Sequence, residues 1–63
     1  MGSFKYLKTY EDEYKLGIRY LHGIGVLIDL EKALMYIKRS ACQGFVRAQV
    51  SLAFMYFYGI GVN

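Results

Sequence analysis

Gly23-Ile24-Gly25-Val26 recurs 36 residues on as Gly59-Ile60-Gly61-Val62. The same offset carries Leu16 onto Leu52 and Tyr20 onto Tyr56, so that six of sixteen aligned pairs are identical. A period of this length marks a helical repeat array, in which each unit is a helix pair that cannot bury its apolar face without a neighbour. The chain contains no proline and no strictly alternating apolar run, which argues against a sheet. The expected fold is therefore all-α: a short α/α solenoid of three antiparallel helices.

Local chemistry sets the helix limits. Thr9 followed by Glu11, Asp12 and Glu13 reads as an N-cap with an acidic first turn, where negative charge meets unpaired N–H groups, and it starts a first helix over about residues 10–22. Leu16, Tyr20 and Gly23 share one face of it, and Gly23 can adopt the left-handed conformation that ends a helix. Gly17 in mid-helix costs about 1 kcal/mol relative to alanine, so its presence implies close approach of a partner helix. Asp29 is a good N-cap for the second helix, with Glu31 in its first turn, Lys38 and Arg39 near its last carbonyls and Gly44 as its stop. Ala33, Ile37 and Ala41 make a narrow stripe on which another helix can sit closely. A third helix over about residues 46–58 repeats the pattern through Ala48, Leu52 and Tyr56. Tyr20 and Tyr56, at matching positions, are expected between helices.

With 63 residues the chain is at most one small domain, with little room for an enzyme's cleft. A lone Cys42 forbids an internal disulfide and is the usage of a reducing compartment such as the cytoplasm; with the single His22 it offers no metal-ligand spacing. The net charge is +3, but the eight Lys and Arg never form a run, so no nucleic-acid footprint is expected. Residues 1–6 carry neither the apolar run of a secretory signal nor, with Tyr6 in place of Ser or Thr, a myristoylation signal. Residues 48–63 are uncharged, yet they are shorter than a membrane span and include Gln49, Ser51, Gly59 and Gly61.

Leu16-Gly17-x-x-Tyr20-x-x-Gly23-x-Gly25-Val26-x-x-Asp29-x-Glu31-Lys32-Ala33-x-x-Tyr36, followed by Ala41-x-Gln43-Gly44-x-x-x-Ala48-Gln49, resembles the Sel-one-like repeat, an α/α relative of the tetratricopeptide repeat. The resemblance implies a right-handed solenoid of antiparallel helix pairs that scaffolds protein complexes, often in signalling, protein quality control or bacterial host interaction. It divides the single module of residues 1–63 into a lead-in (1–11), one repeat (12–47) and the first half of a second (48–63). Departures from the family pattern fall at Asp12 and Ser40, where alanine is usual, at Tyr36, where tryptophan is usual, and at Leu27 and Ile28, where proline and a polar residue are usual. Asp12 suggests that no earlier repeat packs there.

Chemistry-bearing residues have structural explanations. A dinucleotide fingerprint needs a third glycine at the position of Ile28 and a preceding strand, so Gly23, Gly25, Gly59 and Gly61 read as turn residues. In an antiparallel pair His22 and Cys42 fall at opposite ends, roughly 15 Å apart, too far to act as base and nucleophile. Phe54, Phe57 and Tyr58 have no interleaved basic residues with which to bind nucleic acid. No enzyme activity, cofactor, metal, nucleic acid or membrane insertion is expected. The pattern places Leu27, Ile28, Met35, Cys42, Phe54, Phe57 and Tyr58 outside, which calls for a partner.

First helices line the concave face in the resembled family, which assigns Lys15, Ile18 and His22, with their images Ser51, Phe54 and Tyr58, to a protein- or peptide-binding surface. The alternatives are a self-associating module, in which the uncovered third helix docks on its counterpart in a symmetric homodimer, and a piece of a longer array with no independent activity. In the last case an extended reading frame is expected to carry Asp, Ala and Gly 36 residues after Asp29, Ala33 and Gly44; sequencing the flanking DNA checks this.

Overall fold

The computed structural model describes residues 9–62; the readings of the first residues and of Asn63 lie outside the described residues. It contains α1 (Thr9–His22), α2 (Leu30–Cys42) and α3 (Val46–Tyr58), with no strand among the described residues. Thr9, expected as an N-cap, is already helical. Asp29 caps α2 as expected: its backbone is extended, and its carboxylate accepts the Lys32 amide at 3.0 Å. Arg39 lies in the last turn of α2, but its guanidinium turns to Glu13 of α1 at 3.2 Å. The ion pair across the helix interface replaces the expected helix-end contact.

The 36-residue period is a backbone period as well as a sequence one. The Ile24 amide donates to the Arg19 carbonyl at 2.9 Å, and the Ile60 amide donates to the Met55 carbonyl at 2.8 Å, the same bond one repeat later. Gly23 and Gly59 close α1 and α3 at φ of 71° and 68°, a region that costs other residues a steric clash.

Packing is organised by α2, which touches both other helices. Its stripe Ala33, Ile37 and Ala41 is buried, and the core is completed by Ala48 and Met55 of α3. Gly17 has the predicted reason: a Cβ there would stand 2.6 Å from Ile37 Cγ1 and 3.2 Å from the Ala33 carbonyl oxygen. A tetrad of contacts then runs down the α1–α2 seam. The Ser40 hydroxyl donates to the Tyr10 carbonyl at 2.6 Å, and Gln43 Nε2 donates to Glu13 Oε1 at 2.6 Å. Ile37 lies on Gly17, and the Tyr20 and Tyr36 rings stack at 5.9 Å with planes 4° apart. Lys32 Nζ lies 5.3 Å from the Tyr20 ring and Arg39 Cζ 5.8 Å from the Tyr36 ring, so a cation flanks each end of the stack.

The α2–α3 turn centres on Ser40 and Phe45. The Ser40 carbonyl accepts from the amides of Gln43 and Phe45, while the Phe45 ring packs on Tyr10 (5.2 Å) and Tyr14 (5.4 Å). Phe45 stands at the N-cap of α3 without a side-chain cap bond, so aromatic packing onto α1 positions the helix start where capping chemistry does not.

Gly17→Ala should lower stability by about 1–2 kcal/mol despite alanine's better helix propensity, because the methyl must displace Ile37 against backbone. Ser40→Ala should cost about 1 kcal/mol through the lost hydroxyl bond. Urea unfolding followed by circular dichroism at fixed protein concentration measures both.

Candidate interaction surface

Antiparallel packing on α2 leaves α1 and α3 facing each other across a groove of about 470 Å³. Tyr14, Ile18, Leu21 and His22 form one wall; Val50, Ser51 and Phe54 form the other, with buried Met55 and half-buried Ile60 completing the lining. Four of the six residues assigned from sequence thus share one groove: Ile18, His22, Ser51 and Phe54. Lys15 lies just outside, in a shallow depression shared with Ile18, Arg19 and His22. Tyr58 does not line the groove; its ring packs on Phe54 at 4.6 Å and on Phe57 at 4.9 Å, bracing the outer wall.

Sequence reasoning missed Tyr14 and Val50, although the signal was available. They are 36 residues apart and lie one helical turn before Ile18 and Phe54, so adding one turn to the stripe finds both. It also placed Tyr56 in the core as the image of Tyr20, whereas Tyr56 is 47% exposed. Tyr20 is covered because Tyr36 stacks on it; no described residue occupies the equivalent position over Tyr56.

The basic edge of the groove has no acidic lining residue to offset it: Lys15, Arg19 and His22 stand around an apolar interior. His22 ends α1 and Cys42 ends α2, and the pairing of Glu13 with Gln43 shows that the two helices run in opposite directions. Among the described residues no three His, Cys, Asp or Glu side chains are grouped to hold a metal ion, and no helix is long and apolar enough to cross a membrane. Leu27 (90% exposed), Ile28, Met35, Phe54, Phe57 and Tyr58 are exposed, as the pattern required.

First helices related by a fixed sequence period, each ended by the same glycine turn and both packed on the helix between them, define an α/α repeat protein. The Sel1 repeat model matches residues 11–45 and 46–63, and the chain belongs to this family, with about one and a half repeats. Sel1 repeats are non-catalytic scaffolds that generally mediate protein–protein interaction. No curated protein and no solved structure matches the chain.

Because Phe54 is 58% exposed, Phe54→Ser should change stability by less than about 1 kcal/mol. The same substitution should reduce the fluorescence of an apolar dye bound to the native chain; dye titration with a parallel melt tests both.

Proposed function

We propose that this chain is a protein-interaction module whose α1–α3 groove takes a peptide or short helix carrying a large apolar side chain beside an acidic residue. The observation that carries this reading is convergence: repeat-equivalent positions of two helices meet on one apolar groove bordered by Lys15, Arg19 and His22. Phe54 and Ile18 act as anchors, since large rigid side chains bury much area for little lost rotamer freedom. Ser51 and His22 offer hydrogen-bonding groups beside them, and Tyr58 holds Phe54 in place through ring contact. The basic edge selects the acidic neighbour and speeds its encounter. Residues 12–47 serve as a complete unit and 48–63 supply the second wall.

A displayed library of short peptides, selected on the native chain, tests this. The selected sequences should pair an aromatic or leucine with Asp or Glu. Phe54→Ala and Ile18→Ala should each weaken binding about tenfold or more, or at least about 1.4 kcal/mol, and Lys15→Glu should weaken it most at low salt. Leu27→Ala, in the loop away from the groove, should leave it unchanged. Peptides that bind wild type and Phe54→Ala equally would refute the assignment.

A further inference from the structure

Every residue lining the groove except Ile60 lies in α1 or α3, where backbone N–H and C=O groups bond along the helix. At the helix ends the Arg19 and Tyr20 carbonyls accept from the Ile24 and Asp29 amides, and the Met55 and Tyr56 carbonyls accept from the Ile60 and Gly59 amides. The walls therefore offer an occupant side chains, of which Tyr14, His22 and Ser51 carry a nitrogen or oxygen. The wall from Tyr14 to His22 spans about 12 Å, the length of about two helical turns or about four extended residues. An extended segment turns peptide groups toward both walls, where no strand edge or unpaired helix group receives them, and a covered peptide group without a partner is unfavourable. A helix bonds its own peptide groups and presents side chains alone, which matches what the walls offer.

Charge decides the direction of that helix. Both walls run the same way and end at Gly23 and Gly59, so the negative ends of two helix dipoles lie together at one end of the groove. The basic residues of that end, Arg19 and His22, belong to the last turn of α1; the last turn of α3 has none. At the opposite end α1 carries Glu11 and Asp12 in its first turn, which repel an acid placed there.

Resting on the groove reading, we infer that the partner segment is an amphipathic helix lying antiparallel to α1 and α3, with its acidic residue in the first turn beside Arg19 and His22. In that turn the carboxylate meets two sources of positive charge at once, the unpaired N–H groups of its own helix and the basic side chains of α1. Apolar residues one turn apart then face Ile18 and Phe54. A parallel helix sets its own C-terminal carbonyls against two like dipole ends and carries its acidic first turn to the end that holds Glu11 and Asp12.

The probe is an acetylated, amidated, alanine-rich peptide of about 14 residues, with Asp and Glu in its first turn and Leu and Phe one turn apart, titrated onto the full chain by fluorescence anisotropy. It should gain helix on binding, read by difference circular dichroism. A second peptide, with proline in place of one mid-helix alanine on the solvent side, keeps every groove contact but breaks the helix, and should bind at least about thirtyfold more weakly. Direction is read by cross-linking. Arg47 and Tyr58 lie one turn outside Ser51 and Phe54 at opposite ends of the groove, so Arg47→Cys and Tyr58→Cys are made separately in a Cys42→Ser background. A cysteine on a short glycine linker at the peptide's N-terminus should form its disulfide with Tyr58→Cys ahead of Arg47→Cys, and one at its C-terminus the reverse. Should either variant lose helicity, the wild-type chain decides: between two stapled peptides of equal helicity, moving Asp and Glu to the last turn should weaken binding at least about tenfold. Equal affinity of the proline peptide, or no gain of helix, overturns the helical occupant and leaves the groove reading standing; reversed cross-linking, or equal affinity of the two stapled peptides, does the same for its direction. If neither these peptides nor any from the displayed library binds, the groove reading falls and this inference with it.

Discussion

The approach of Ile37 to Gly17 is the constraint on which the rest depends. A single missing methyl lets α2 settle close enough to α1 for the Ser40 hydroxyl to reach the Tyr10 carbonyl and for the Tyr20 and Tyr36 rings to stack. With α2 held there, its opposite side receives Ala48 and Met55, and α3 acquires its position. A chain this short has a small core, so few contacts must do much of the work of burial. Two large side chains, Ile37 and Met55, are almost wholly enclosed; the other buried positions are small residues that permit close approach.

The two glycine turns show how one sequence element serves different surroundings. Gly61 rests on the backbone of Leu30 and against Leu34 Cβ, leaving no space for a side chain, while a Cβ at Gly25 would meet nothing within 4 Å. Likewise Ile60 packs against the core and Ile24 is 54% exposed. The difference is α2, whose Leu30 and Leu34 stand against Gly61 while nothing stands over Gly25. Equivalent residues therefore acquire different exposure from position in the array, and in this way a repeat converts uniform local structure into a molecule with distinct surfaces.

Function follows from that distribution. The groove between α1 and α3 exists because both helices pack on α2 and leave a gap between themselves; its apolar interior comes from repeat-equivalent positions, whereas its basic edge belongs to α1 alone. The other flank of α3 carries Val46, Gln49, Ala53 and Tyr56, all exposed, whereas the equivalent face of α1 packs on α2. Protein interaction is the general role of Sel1 repeats, and the groove is the surface proposed for it here.

The helices, their glycine ends, the Asp29 cap and the buried Ala33-Ile37-Ala41 stripe were legible in the sequence because each depends on residues within about one or two helical turns. Even the close contact at Gly17 could be inferred, since glycine in mid-helix has a cost that only packing offsets. Four groove residues were legible through helical spacing and the 36-residue period. The role of Phe45 was not, for nothing local marks an aromatic N-cap that is held by rings 31 and 35 residues earlier. Nor was the exposure of Tyr56, whose side chain matches Tyr20 but whose covering ring does not exist in the described chain. Local spacing by itself determined which residues form helices and which face each presents. Only the tertiary structure decided which faces are covered, because burial depends on the neighbour that arrives and not on the residue that waits.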